Sequence, residues 1–145
     1  MKYQKGNIGR VFAVKMEHGD DLLEELKKLA VRENIESAGM YMIGALKSAA
    51  LVTGPRALTV PPEVEWVSFA DGREIVGLGT IFHDGNEPVV HLHSVFGKGE
   101  SALAGCVRKD TEVYLVVEII IMEFTGINAM RGIDPALGMK VMMLG

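Results

Sequence analysis

The second half of the chain is a succession of short runs of β-branched and aromatic residues separated by turn signals. The runs are "EVEWVSF", "EIVGLGTIF", "PVVHLHSVF" and "VYLVVEIII", and the breaks between the first three and after the third are "ADG", "HDGN" and "GKGE". Runs of this kind predict strands, and connections this short join antiparallel neighbours. A meander of strands is therefore expected from residue 63 onward.

One segment near the start has helical spacing instead. After a predicted strand, "GRVFAVKME", the stretch "HGDDLLEELKKLAVREN" repeats its apolar residues every three or four positions. These residues are Leu22, Leu26, Leu29 and Ala30. Asp21 followed by Glu24 is typical of a helix start, and Glu24 is expected to pair with Lys28 one turn later. A helix is predicted here.

A single helix beside a meander indicates an α+β class, with a mixed, mostly antiparallel sheet and helical cover on one side. The stretch "IESAGMYMIGALKSAALVTG" carries small residues, and Gly44 and Ala45 are expected at a helix-to-strand crossover that needs close packing or an unusual backbone angle. The Met-rich tail predicts a final strand or a subunit contact. With 145 residues and about half of them apolar, residues 1–145 are expected to form one domain.

Three residues that are common metal ligands occur in residues 88–106, "PVVHLHSVFGKGESALAGC". His91 and His93 are two apart on a predicted strand, so they share a face. A hairpin centred on Lys98 and Gly99 would place Cys106 opposite His91, also on that face. Two imidazoles and a thiolate suit Zn²⁺ and leave one position open. The alternative is that the histidines pair by chance and that Cys106 only fills space in the core.

Two further histidines and one glutamate are interpreted separately from the three predicted ligands. His83 and His18 are expected to be exposed rather than ligands. Glu118, in the middle of "VYLVVEIII", needs a partner because an acid is costly in so apolar a strand. It is interpreted either as a hydrogen-bond acceptor beside the metal ligands or as the ion-pair partner of Arg131, of Arg10 or of a neighbouring subunit.

Charge and length exclude several classes of protein. Nineteen acidic residues outnumber fifteen basic ones, which gives a net charge of −4 and no general attraction to phosphate backbones. A lone cysteine forms no internal disulfide, and the first residues do not look like a signal peptide, so a cytoplasmic location is expected. The longest apolar run, from Val113, is interrupted by two glutamates and falls short of the roughly 20 residues of a membrane-spanning helix. No membrane partner is expected.

The order of these segments resembles the PPC domain, the plants and prokaryotes conserved domain of plant AT-hook proteins and of free-standing bacterial and archaeal proteins. The resemblance covers nearly the whole chain and rests on Gly19-Asp20, on "IGAL", "GTI" and "HLH", and on Glu118. It implies an α+β domain that forms homotrimers, in many members with a histidine cluster that can hold zinc. Where the family usually has "GGH", this chain has "AGC", so Cys106 replaces the third histidine. Arg131 and Asp134 also resemble a family feature and are expected to form an ion pair.

Three hypotheses of function follow. The first is a cytoplasmic, homotrimeric, zinc-binding PPC protein with a DNA-associated or regulatory role, since free-standing relatives are described as predicted DNA-binding proteins. This chain has no Arg-Gly-Arg element of the AT-hook kind, so direct DNA contact rests on that description alone. The second is a metal-dependent enzyme with an open zinc site. The third is a metal-free structural assembly module.

Overall fold

The computed structural model describes residues 1–145, which form ten strands and one helix. In chain order, the elements are β1 (Asn7–Glu17), α1 (Leu22–Glu33), β2 (Ser37–Leu46), β3 (Ala49–Ala57), β4 (Glu63–Phe69), β5 (Arg73–Asp84), β6 (Glu87–Lys98), β7 (Ser101–Lys109), β8 (Val113–Thr125), β9 (Ala129–Asp134) and β10 (Met139–Leu144).

Eight of the strands form one continuous path in the order β1-β8-β2-β5-β6-β7-β3-β4. Every neighbouring pair on this path is antiparallel. The last two strands form an antiparallel hairpin, and β9 joins β5 by a parallel bridge between Met130 and His83. The predicted meander is present only as β5, β6 and β7, which pair in succession. The prediction was wrong for β4 and β8, because β4 pairs with β3, and β8 pairs with β1 and β2.

The predicted α+β class with helical cover is wrong. Strands make up 67% of the chain and the one helix only 8%, so the protein is a mostly antiparallel β-sheet. The difference comes from two segments. The stretch expected to hold a crossover forms β2 and β3, and the tail forms a hairpin rather than a single strand. Gly44 in β2 reflects close approach to β8, which periodicity alone does not distinguish from a crossover.

The helix begins where the sequence predicts. The side chain of Asp21 accepts a hydrogen bond from the backbone N–H of Glu24 at 3.1 Å, and Thr111 donates to the same carboxylate at 2.9 Å. On the surface, Lys27 pairs with Glu24 and Lys28 with Glu25, so the expected pair between Glu24 and Lys28 is replaced by two pairs at a spacing of three. The cap and its link to Thr111 anchor the helix on the sheet.

The helix packs against part of one face of the sheet. Leu22, Leu26 and Ala30 are fully buried and belong to one core cluster with inward residues of the strands. That cluster includes Met16 from β1 and Phe69 from β4, the strands at the two ends of the path. No helix in the structure is long and apolar enough to cross a membrane.

The opposite face of the sheet, here called the open face, is covered at one end by the β9–β10 hairpin, whose Arg131 contacts Thr80 and His91. The rest of its middle strands expose apolar side chains. Cross-strand pairing aligns His93, Leu78, Tyr41 and Ile120 in one row across β6, β5, β2 and β8. Leu92, the neighbour of His93 in the chain, points the other way and is fully buried in the core. Strand alternation therefore places the histidines on the open face.

Gly44 provides a test of how closely β2 approaches β8. Its φ is 139°, and a Cβ added there would lie 2.3 Å from the carbonyl oxygen of Val116. We expect Gly44→Ala to lower the free energy of unfolding by about 3 kcal/mol, because backbone strain and overpacking add. Urea unfolding followed by circular dichroism measures this change. Gly97→Ala is the matched control, since Gly97 lies in β6 with no atom within 4 Å of the added carbon. Equal stability of the two variants would contradict the close approach.

Candidate metal centre

The three predicted ligands come together on the hairpin of β6 and β7. The candidate ligand atoms of His91, His93 and Cys106 all lie within 4.8 Å of one another. Two of them come from alternate positions of β6, and the third comes from the adjacent strand. Since all three lie on the open face, convergence follows from strand alternation and from the pairing of β6 with β7.

The hairpin register differs from the predicted one. Lys98 pairs with Ser101, which leaves Gly99 and Glu100 as the loop, and Gly99 takes a φ of 58°. Cys106 therefore pairs with His93 and not with His91. The change moves Cys106 by two residues along β6, and a shift of two keeps a side chain on the same face. For this reason the cluster survives the error in register.

Burial increases across the cluster from His93 to Cys106. His93 is exposed, His91 is half-buried, and Cys106 has only 5% of its surface exposed. Burial raises the pKa of the Cys106 thiol, so a metal ion must displace its proton. Burial, together with the nearby positive charge of Arg131, lowers the pKa of His91 to about 4. His91 is therefore neutral at neutral pH, which is the form that binds metals.

Arg131, from β9, makes the closest polar contact of the cluster. One of its terminal nitrogens, Nη2, lies 2.7 Å from Nδ1 of His91 and donates to the hydroxyl of Thr80 at 3.1 Å. Because a guanidinium only donates, Nδ1 of His91 accepts in this contact. A neutral imidazole has a single nitrogen lone pair, so Arg131 and a metal ion compete for it. Metal binding through His91 thus requires that Arg131 release the ring.

The expected ion pair between Arg131 and Asp134 is absent, since Arg131 contacts His91 and Thr80. Asp134 instead accepts from the backbone N–H groups of Ala136 and Leu137 and so stabilises the turn between β9 and β10. The sequence singled out Arg131, but as a partner of Glu118 or Asp134. It did not reveal the contact with His91, because β9 and β6 are separated by two strands in the sequence.

Glu118 lies apart from the cluster. It is exposed on β8, opposite Lys15 and Ile43, and β2 and β5 separate β8 from β6. Three strand spacings of about 4.8 Å, with a further offset along the strands, place its backbone more than about 14 Å from the histidines of its own chain. The two ion pairs expected within the chain are not formed, because Arg10 pairs with Glu123 at 2.8 Å and Arg131 with His91. A role beside the metal ligands, or in a contact with a neighbouring subunit, stays a prediction.

The remaining histidines have structural contacts. His18 is exposed beside the start of β8, and its Nδ1 accepts from the backbone N–H of Leu115 at 3.2 Å. His83 is partly buried rather than exposed, and its Nε2 lies 3.1 Å from the carbonyl oxygen of Ile35. Neither belongs to the cluster of three ligands.

This protein is a mostly antiparallel β-sheet with a cluster of three metal-ligand residues on its open face. The family model of the Plants and Prokaryotes Conserved (PCC) domain, the domain called PPC above, matches residues 3–125. The chain belongs to this family. The resemblance read from the order of its segments is thereby confirmed.

Solved structures share this fold. A metal-containing protein from Archaeoglobus fulgidus is 21% identical, with a TM-score of 0.86 and 99% of each chain covered. A PPC protein from Pyrococcus horikoshii is 24% identical, with a TM-score of 0.81, covering 97% of this chain and 99% of its own. A predicted DNA-binding protein from Ralstonia eutropha is 22% identical, with a TM-score of 0.79, covering 92% and 90%. No curated protein matches the chain.

Proposed function

We propose that this PCC-domain protein binds one zinc ion per chain through His91, His93 and Cys106. The observation that carries the proposal is the convergence of three ligand atoms within 4.8 Å on one face of a hairpin. A tetrahedral zinc ion separates such atoms by roughly 3.3–3.8 Å, given bond lengths of about 2.0–2.3 Å. Small side-chain rotations close that gap. The metal-containing relative from Archaeoglobus fulgidus supports a metal in this fold.

The donor set favours zinc over the hard divalent cations. Imidazole and thiolate are borderline or soft ligands, whereas Mg²⁺ and Ca²⁺ prefer carboxylate and carbonyl oxygens, and no carboxylate belongs to the cluster. Three protein ligands leave one coordination position for water or an added ligand. A thiolate in place of a third neutral histidine adds negative charge and makes the ion a weaker Lewis acid.

We also propose that residues 1–145 form a single domain and that this domain assembles as a homotrimer through the open face. Apolar side chains on this face are exposed to an extent that is unusual for the middle of a sheet. Their exposed fractions are 48% for Tyr41, 55% for Ile43, 61% for Val76, 66% for Leu78 and 48% for Val95. Contiguous apolar patches of this kind mark interfaces between proteins. The number three rests on the resemblance to PPC proteins.

The cellular role we propose is regulatory or DNA-associated, with the chain as an assembly module in the cytoplasm. Predicted DNA-binding proteins among the structural relatives support it. The basic residues of α1 do not offer a surface for phosphates, because Lys27 and Lys28 lie 2.6 Å from the carboxylates of Glu24 and Glu25. In this proposal the DNA contact comes from a partner, in keeping with the net charge of −4.

The first test is the metal content of the purified protein by elemental analysis. We expect about one zinc per chain, lost in a His91→Ala/His93→Ala double variant, because one remaining ligand cannot hold the ion. His18→Ala is the matched control and should keep its zinc, since His18 lies outside the cluster. In cobalt-substituted protein, a thiolate-to-metal absorption band that disappears in Cys106→Ser would assign the third ligand. A wild-type protein that contains no metal after growth in medium with zinc would contradict the zinc site and support the metal-free structural assembly module.

The second test concerns the open face. Light scattering should give three times the chain mass of 15.7 kDa for the wild type. Leu78→Glu should shift the protein to monomers, because a charge buried in an apolar interface costs several kcal/mol. Leu58→Glu is the matched control, since Leu58 is 97% exposed in the loop between β3 and β4. A monomeric wild type, or a trimer unaffected by Leu78→Glu, would contradict this interface.

The third test is direct DNA binding, measured by fluorescence anisotropy with duplex DNA at two salt concentrations. We expect only weak affinity at physiological salt, in or below the non-specific range of about 10⁻⁴–10⁻⁶ M, that decreases further as salt is raised. Nanomolar binding by the chain alone would show that the DNA contact lies within this protein and not in a partner.

A further inference from the structure

A cavity of about 310 Å³ lies beside His91, between the edge of the metal cluster and the hairpin of β9 and β10. Its polar lining comes from Arg108 of β7, Arg131 of β9, Lys140 of β10 and His91 itself. The other lining residues are apolar, and they are Val89, Val90, Met139, Val141 and Met142. No carboxylate lines the cavity, although the protein as a whole is acidic.

The positive charge in this cavity is not compensated. Lys140 pairs with Asp84, but neither Arg108 nor Arg131 forms an ion pair with any carboxylate of the chain. Arg131 is 92% buried, its Nε is buried without any hydrogen-bond partner, and the only partners of its side chain are neutral. Burying a guanidinium with an unpaired N–H donor costs free energy unless a hydrogen-bond acceptor pairs with that donor.

Metal binding increases this imbalance. As shown above, Arg131 occupies the one lone pair of His91, so an ion at His91 releases the guanidinium. The freed group would then place donors toward the cavity, next to the proposed zinc ion. A planar fork of donors, which matches carboxylate and phosphate oxygens, would lie beside the coordination position that three protein ligands leave to an added ligand.

We propose that this cavity binds a small organic anion whose carboxylate or phosphate group contacts Arg131 and Arg108 and whose short apolar part contacts the valines and methionines. The inference deepens the proposed metal-binding function, because it gives the chemical class of the ligand that this site accepts. A volume near 310 Å³ is at the lower end of ligand pockets and fits a compact molecule.

The burial of Arg131 argues against a nucleic-acid backbone as the ligand. The phosphates of a DNA duplex lie on the outside of the double helix, and Arg131, with only 8% of its residue surface exposed, is reached only by a ligand that enters the cavity. Arg108 is exposed at the mouth and provides the first attraction for an incoming anion.

Calorimetry on the full chain tests the proposal with three probes: isovalerate, acetate and inorganic phosphate. Each is titrated into chelator-treated and zinc-loaded protein. We expect saturable binding of one anion per chain, with isovalerate tighter than acetate because it adds apolar contact. Arg131→Gln should raise the Kd at least about 30-fold, as expected for truncating one partner of a buried charge pair. Arg108→Gln, at an exposed position that is less prone to misfolding, should raise it about 5-fold.

Arg32→Gln is the matched control and should leave binding unchanged, because Arg32 lies on the exposed side of α1. A preference for isovalerate or for phosphate assigns the head group, and either supports the proposal. No saturable binding of any probe in both forms of the protein, or a Kd unchanged in Arg131→Gln and Arg108→Gln, overturns it. Anion binding by a protein that takes up no zinc would keep this inference and remove the metal proposal, so the two failures are distinguishable.

Discussion

The protein has one helix, which packs on one side of an eight-stranded path, and this constraint determines how the rest of the molecule is arranged. The helix is about 18 Å long, whereas eight strands extend over roughly 34 Å. It packs against the core face, where Leu22, Leu26 and Ala30 are buried. The open face is covered at one end by the β9–β10 hairpin, and both the exposed apolar patch and the candidate metal cluster lie on this face.

The metal cluster depends on the regularity of the strands around it. His91 and His93 share a face because they are two residues apart on β6, and Cys106 joins them because β7 pairs directly with β6. Each ligand is thus held by backbone pairing on a central part of the sheet rather than by a loop. Sites on strands of this kind are positioned more precisely than sites on loops, which suits a metal ion.

The sequence predicted the parts of the structure that depend on local pattern. Periodicity located the helix and its start at Asp21, and alternation placed both histidines on one side of a strand. The class was wrong because small residues in 37–57 are compatible with a crossover as well as with closely packed strands. The residue predicted to pair with Cys106 was wrong because moving the two-residue loop by one position changes the register of the hairpin. Gly99 is compatible with either position of the loop.

Contacts between distant segments could not be predicted. The partner of Arg131 is a histidine forty residues earlier, and no local pattern connects them. The same holds for Glu118, for which the sequence indicated that a partner was needed and suggested Arg10 or Arg131. The pairing of Arg10 with Glu123 instead depends on which residues of β1 and β8 lie opposite one another. The partners of these charged residues are determined by tertiary packing and not by local sequence.

The hairpin of β9 and β10 lies outside the segment that matches the family model, yet it carries Arg131. His91, His93 and Cys106 therefore lie inside the matched segment, whereas the guanidinium beside His91 comes from outside it. Substitutions in the final twenty residues can change the charge and shape of the surroundings of His91 without touching any of the three residues. The terminal hairpin thus offers evolution, and protein engineers, a part of the chain in which the neighbourhood of the cluster can vary while the cluster itself stays unchanged.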